Sequence, residues 1–429
     1  MGTRHGRRAV LLALALLPPA IAAGAATPVG DARRLIRAGL ALACDAGVSA
    51  AAMADGFGGE ARVLDDRALE MGGESFGWRR RFAVGAGIVS VVRLAPWGTL
   101  RRIEVRYDRV SAPGPRPTMI AIAGPDCAVV AARRLVHGAT GRAVAIEPLS
   151  ATLAPAGPRL PLDPPVPPGT DPGGVTVALV DSGVNYLLPI INAALARDDA
   201  GRALGQDFWD LDPRPFDADP ARSPFFPQRH GTRVASVILA EGPRLRLIPY
   251  RYPRPDPARW PALIDDAATK GARVLNLAMG SNRPDAWGAF AEAARARPEI
   301  LFVVSAGNDG RDIDRKPVYP AAFAIANMLV IGSADGFGDP APGSNWGKGT
   351  VDLLVPGERI VAIGFDGAPT LASGTSFATP RVTALAARLL TAHPDWDTAR
   401  LKAAIIARAR MSDAGGPPTS RYGVLDPGS

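Results

Sequence analysis

Four side chains suited to acid–base and nucleophilic chemistry stand where rigid elements would hold them. Asp181 closes an apolar run, VTVALVD (175–181), and Gly183 just after it is free to take a tight turn. His230 opens HGTRVASVILAEG, whose Val234, Val237 and Ile238 share one helical side. Ser376 lies in SGTSFATPRVTALAARLL, where Val382, Leu385, Ala386 and Leu389 recur at helical spacing. That spacing puts the serine at or just before a helix N-terminus, with Pro380 tolerated in the first turn. Backbone N–H groups and the positive dipole end at such a place stabilise an oxyanion. Asn308, in VVSAGNDG, follows another apolar run and is placed to turn its amide to the same point. Each residue alone also has a plainer reading. Asp181 reads as a turn cap, His230 as a structural helix-start histidine, Ser376 as an N-cap and Asn308 as a loop asparagine.

Side chains so far apart in sequence meet only if a sheet carries them. The runs VTVALVD (175–181), LRLIPYR (245–251), RVLNLAMG (273–280), ILFVVSAG (300–307) and MLVIGSA (328–334) are nearly continuous in apolar residues. Such strands suit a parallel sheet buried on both faces. Helical patterns lie between them, for example at 260–272 and 287–298. The expected fold class is α/β, a doubly wound, mostly parallel sheet flanked by helices, whose sites form at the carboxyl ends of the strands.

The first part of the chain has a different character. Arg4, Arg7 and Arg8 precede an apolar stretch (9–23) and small residues at 22–26, which reads as an export signal over residues 1–26. The stretch is shorter than the ~20 residues a spanning helix needs, and Pro18 and Pro19 interrupt it. The expected destination is the periplasm or the exterior, with no stable membrane insertion. Residues 27–148 open with an amphipathic helix pattern (Ala32 to Cys44), followed by alternating strand-like runs: a small α+β domain. Its two cysteines, Cys44 and Cys127, either pair in an oxidising compartment or remain as two buried thiols. Neither has a neighbourhood suited to a metal site. Residues 149–174 hold too many prolines for a helix or a central strand and read as a stiff, extended, protease-accessible linker. Residues 175–429 form the larger domain.

Composition narrows the function classes. Of 429 residues, 47% are hydrophobic, enough to bury a large core, so disorder is excluded for most of the chain. The net charge of +8 is almost all arginine, lysine occurring only at 270, 316, 348 and 402. The arginines are spread among acidic residues rather than gathered in a stripe, so no nucleic-acid partner is expected.

Taken together, ALVDSGV, HGTRVAS, VLNLAMGS, VVSAGNDG and SGTSFATP, in the order Asp, His, Asn, Ser, resemble the subtilisin-like serine endopeptidases. SNWGKGTVDLLVPG (344–357) and YGVLDPG agree, and the likeness spans about 175–429. The resemblance implies Ser376 as nucleophile, His230 as general base and then acid, and Asp181 as the group that orients the imidazole. It implies Asn308 and the Ser376 N–H as oxyanion donors. Ala278, Met279 and Gly280 would pair with an extended protein or peptide substrate, and Ser305, Ala306 and Gly307 would wall the first specificity pocket. Val318, near the pocket floor, suggests a shallow pocket for small or medium apolar side chains. No cofactor is required. Asp207, Asp210, Asp212, Asp217 and Asp219 form either a solvated loop or a structural calcium site of the sort the family often carries, though their spacing matches no EF-hand. The N-terminal domain would act in cis on the catalytic domain and be removed, or persist as an accessory. Phe377 and Arg381 depart from the family's usual Met and His without touching proton transfer.

Two rival readings follow. GESFG (73–77) matches an esterase elbow pattern and HGAT (137–140) supplies a histidine, His137, but WRRRFAV alternates like a strand where a helix is required. The other rival is a catalytically silent subtilisin-like fold that serves as a binding protein.

Overall fold

A computed structural model describes residues 28–428 other than 59, 113, 243, 255 and 412–418. The export signal expected at 1–26 lies outside the described residues. The chain divides into two compact units. One takes residues up to Arg134 together with Leu149–Ala156, and the other takes Leu135–Pro148 and everything from Gly157. The division therefore differs from a clean break over 149–174.

In the first unit, helix α1 (Pro28–Cys44) presents Ala32, Leu35, Ile36, Leu40 and Ala43 on one side, the spacing of an amphipathic helix. Helix α2 (Ala50–Phe57) follows, capped by Ser49, whose hydroxyl accepts the Ala52 N–H at 3.1 Å. Strands β1 (Arg62–Met71), β2 (Glu74–Val84), β3 (Gly87–Leu94), β4 (Arg102–Ser111), β5 (Gly114–Ala123) and β6 (Val129–His137) form an antiparallel meander. Strand β3 is buried at every second residue, the alternation of a sheet with one covered face. Phe82, Val89, Val91, Ile103, Val105 and Met119 pack under the two helices. Ser75 of GESFG sits inside strand β2, so the elbow geometry is absent there. The two cysteines are paired, tying the end of α1 to Cys127 in the turn after β5.

The second unit begins with the hairpin strand β7 (Ala143–Leu149) and the short β8 (Leu160–Pro161), which pair antiparallel. Its main sheet holds β9 (Val175–Asp181), β10 (Gln206–Asp207), β11 (Leu245–Arg251), β12 (Val274–Leu277), β13 (Leu301–Ser305), β14 (Met328–Ala334) and β15 (Leu353–Pro356). Their order is β10-β11-β9-β12-β13-β14-β15, parallel at each pairing. Helices α3 (Pro189–Ala194), α4 (Gly231–Glu241), α5 (Trp260–Thr269), α6 (Gly288–Arg295), α7 (Thr375–Ala392) and α8 (Thr398–Ile406) accompany it, with a small hairpin of β16 (Ile360–Ile363) and β17 (Pro369–Ala372). Successive strand residues point to opposite cores. Ala178, Val180, Phe302 and Val304 pack with α5 and α6, while Val177 and Leu179 join α4, and Leu301 and Val303 join α7. The doubly wound α/β architecture expected from the apolar runs is the one observed.

Residues 157–174 are extended, yet they are tied down rather than loose. Proline removes N–H donors but keeps its carbonyl, and these carbonyls find donors. Pro164 O accepts Tyr186 OH at 2.6 Å, Pro167 O accepts Arg197 Nη2 at 3.0 Å, and Pro168 O accepts Asn192 Nδ2 at 3.1 Å. Asp171 accepts the Arg197 N–H at 2.6 Å and pairs with Arg246 at 3.0 Å.

The disulfide closes a loop with a sequence separation of 83. Cys44→Ser should therefore lower the unfolding free energy of the first unit by about 2–5 kcal/mol. Denaturant titration of the variant and of the unsubstituted protein, both without reductant, measures it, and coincident transitions would refute the bridge.

Candidate active site

Strand β9 ends at Asp181 because the sheet stops there, and this puts a carboxylate at the carboxyl edge with only 1% of its surface exposed. A charge so buried needs donors. His230 Nδ1 lies 2.8 Å from Oδ1 and 2.9 Å from Oδ2, and the Ser182 N–H donates to Oδ1 at 2.7 Å. Nδ1 carries the proton in that arrangement, so Nε2 is the ring nitrogen left to accept one. Burial pulls the imidazole pKa down. The Asp181 charge and its hydrogen bond, with Asp217 behind them, outweigh that pull and Arg233, leaving His230 above the ordinary histidine range.

His230 is positioned from behind as well. Asp217, fully buried, accepts the Ser182 hydroxyl at 2.7 Å, the Thr232 hydroxyl at 2.6 Å, and the N–H groups of Thr232 at 3.0 Å and His230 at 3.2 Å. A carboxylate at the start of α4 also complements the helix dipole. Burial pushes the Asp217 pKa up, against the pull of these donors. Gly231 leaves no alternative to this fit, since a β-carbon there would lie 2.0 Å from Gly183 O and 3.0 Å from Asp181 Cβ.

Ser376 is the second residue of α7, whose cap is Gly374. Its N–H belongs to the first turn, where helices have no internal acceptors. Gly374 has φ 112°, and a β-carbon there would come 2.9 Å from Asn308 Oδ1. That close approach lets Asn308 Oδ1 accept the Thr375 N–H at 2.9 Å and the Thr375 hydroxyl at 3.1 Å. With its oxygen held by Thr375, the residue before Ser376, the amide Nδ2 is the donor end of the side chain. Pro380 stands in the second turn of α7 rather than the first, and removes the N–H that would bond the Ser376 carbonyl. The Ser376 hydroxyl donates to Ala278 O at 3.3 Å, and the His230 ring packs 5.9 Å from the Phe377 ring.

A cavity of about 700 Å³ opens beside these groups, lined by Asp181, His230, Ala278, Met279 and Gly280. Ser305, Ala306, Gly307 and Val318 do not line it. Val318 instead packs against two glycines: a β-carbon at Gly280 would be 3.3 Å from Val318 Cγ1, and one at Gly307 would be 3.7 Å from the same atom. Val318 thus stands between those two backbone segments, and Ser281 and Tyr319 exchange hydrogen bonds of 2.9 and 2.8 Å across them. Asn345, fully buried, anchors the Asn308 loop: Nδ2 donates to Ala306 O at 2.8 Å and Oδ1 accepts the Asp309 N–H at 3.0 Å.

The five aspartates of the 205–228 segment do not converge. Asp207 and Asp210 engage Arg251, Asp212 engages Arg142 and Arg214, Asp217 serves the His230 turn, and Asp219 meets Tyr252 and Arg254. Among the described residues no group of three His, Cys, Asp or Glu side chains gathers that could hold a metal ion. Ser182, Asp217, Thr232 and Asn345 were not singled out from sequence as supports, and nothing in their local patterns marks them.

Residues 173–424 match the model of the subtilase family. A thermophilic serine proteinase of Bacillus sp. (strain AK1) is 28% identical over 230 residues, covering 50% of this chain and 52% of that protein. Alkaline serine exoprotease A of Vibrio alginolyticus is 29% identical over 262 residues, 58% of this chain and 45% of that protein. The chain thus spans about half the length of these curated relatives. A cold adapted subtilisin-like serine proteinase of known structure aligns with TM-score 0.47 at 25% identity, over 62% of this chain and 95% of that one.

The raised His230 pKa has opposite consequences for folding and for proton acceptance. The Asp181 pairing stabilises the folded chain fully below the unfolded histidine pKa, and that contribution is lost as pH rises through the folded value. Proton acceptance by Nε2 begins only above the folded value. NMR titration of His230 should give a midpoint above ~6.5, falling in Asp181→Asn; equal midpoints in the two proteins would contradict the geometry.

Proposed function

Because the chain belongs to the subtilase family, we propose that it is a serine endopeptidase, hydrolysing peptide bonds through an acyl-enzyme formed on Ser376. The observation that carries this reading is the Asp181 carboxylate on His230 Nδ1, with Ser376 at the α7 N-terminus and its hydroxyl on the Ala278 carbonyl. The Ser376 hydroxyl attacks the scissile carbonyl carbon while His230 Nε2 takes its proton. Asp181 holds the tautomer and stabilises the imidazolium. The carbonyl oxygen, now negative, is met by Asn308 Nδ2 and the Ser376 N–H, and losing one such donor typically costs about 100- to 1000-fold in rate. His230 then returns the proton to the departing amine. Water, deprotonated by the same imidazole, releases the acyl group.

An extended peptide would align along Ala278–Gly280. Its residue before the scissile bond would enter the space bounded by Ser305, Ala306, Gly307 and Val318, which favours small or medium apolar side chains. The binding-protein alternative keeps the fold without turnover. A fluorophosphonate probe separates the two: labelling should occur and vanish in Ser376→Ala, and an unlabelled processed protein would favour the alternative.

Export and a removable N-terminal unit that acts in cis belong to the same proposal. Among the described residues no helix is long and apolar enough to cross a membrane. The whole of 154–159 is exposed, whereas parts of the chain after it are held by the contacts of Tyr186 and Arg197. Maturation should therefore cut near 154–159, leaving a species that begins there. Intact-mass measurement of the secreted protein tests this, and a single species beginning near residue 27 would rule out removal.

A further inference from the structure

The cavity along Ala278–Ser281 carries a charge pattern that the hydrolytic groups do not require. Four arginines line it, Arg229, Arg233, Arg254 and Arg283, against two acidic residues, Asp181 and Asp219, although the Arg229 guanidinium itself bonds the Asp217 carbonyl and lies 3.9 Å from the Phe365 ring. Asp181 is already committed to His230, and Asp219 to Tyr252 OH at 2.9 Å and Arg254 at 3.4 Å. Arg233 has neutral partners, the Arg229 carbonyl at 3.2 Å and the Phe377 ring at 5.7 Å. Arg283, with 72% of its side chain exposed, pairs with an equally open Asp285, a weak and easily exchanged contact. The remaining wall is mixed, with Pro253, Pro257, Met279 and Ala286 beside the largely buried Trp260 and Trp287, whose rings stack at 5.2 Å. A net positive, half-enclosed space concentrates anions, and its apolar residues suit the methylenes of a glutamate side chain.

We propose that this cavity selects acidic peptide segments, glutamate above all, within a few residues of the scissile bond on the side lying along Met279–Ser281. The proposal rests on the serine endopeptidase reading and names its substrate class. Arg233 and Arg283 act as specificity-determining residues: they meet the carboxylates of the bound peptide and take no part in proton transfer. Position matters more than total charge. An acidic residue beyond the cavity would feel only the screened field of the surface, whereas one inside it displaces weak neutral or solvent-exposed partners.

The test uses the full-length secreted protein and peptides of identical sequence carrying Glu, Gln or Lys at each position from four before to two after the cleaved bond. At one or two adjacent positions, kcat/KM should rank Glu over Gln over Lys, with a Glu/Lys ratio of at least about fivefold at low ionic strength. That ratio should collapse toward unity at ~1 M salt, where the screening length is about 3 Å. In Arg283→Glu, an exposed change that leaves the core untouched, the ratio should fall or invert; Arg233→Gln provides a second variant read by the same ratio. Cleavage of the Gln peptides with equal rates for Glu and Lys would overturn the acidic preference and leave the endopeptidase standing. Absence of cleavage of every peptide, together with no fluorophosphonate labelling, would overturn both.

Discussion

A carboxylate with almost no exposed surface at the end of a strand is the constraint on which the catalytic unit depends. Asp181 would be costly to ionise there without donors, since an unpaired buried charge loses its hydration for nothing. The chain supplies a histidine ring and a backbone N–H. Supplying them means delivering the start of α4 to the strand end, and that brings a second buried carboxylate, Asp217, whose four donors include the His230 N–H. The glycine after the histidine follows from the same geometry, because any β-carbon would strike the Gly183 carbonyl. Orientation of the imidazole is thus over-determined from both the ring and the backbone. That is what a proton-transfer group needs if its angle is not to wander.

The serine is placed by a different device. Helix α7 buries one side under β12–β15 through Val382, Leu385 and Leu389, which sets its axis against the sheet. Thr383 fixes its position along that axis, donating to Asn276 Oδ1 at 2.9 Å across to β12. The N-terminus then projects at the carboxyl edge where β12 and β13 end. Asn308 reaches it from the loop after β13 and is itself braced by Asn345. Two independent frames, strand β9 with α4 and strand β13 with α7, therefore meet along one edge of a sheet.

Much of this was legible in sequence because strands buried on both faces leave an unmistakable apolar run. The five runs at 175–181, 245–251, 273–280, 300–307 and 328–334 each contain a strand of the main sheet. Strand β15 was missed because four residues, one of them proline, carry too little periodicity. Strand β1 was missed because its outward residues are charged and its alternation is broken by irregular register against β2. The second-tier polar residues escaped for another reason. Asp217 sits among four neighbouring aspartates of the same type, and only the fold tells that one turns inward to four donors while the others meet arginines or a tyrosine. The proline-rich stretch reads as a stiff, extended linker, and what its composition does not show is its partners: a chain rich in free carbonyls is a good acceptor for arginine, asparagine and tyrosine donors.

Charge shows how far composition alone can reach. A whole-chain excess of +8, scattered as arginine, argues against a dedicated phosphate-binding stripe because no segment concentrates it. Scatter in sequence is not scatter in space. Arg229 precedes α4 and Arg233 lies in its first turn, Arg254 follows β11 and Arg283 follows β12, yet all four line one cavity. Many arginines elsewhere are spent on structure, as Arg251 is on Asp207 and Asp210, or Arg197 on the carbonyls of the 157–174 segment. Guanidinium groups already bound to buried carboxylates contribute little to the field outside. Those whose partners are neutral, or open to solvent, contribute most of it. The sign of the potential at the cavity is therefore set by where the fold places its arginines and by the charge of the partner each one meets, properties that depend on topology and not on how many the chain contains.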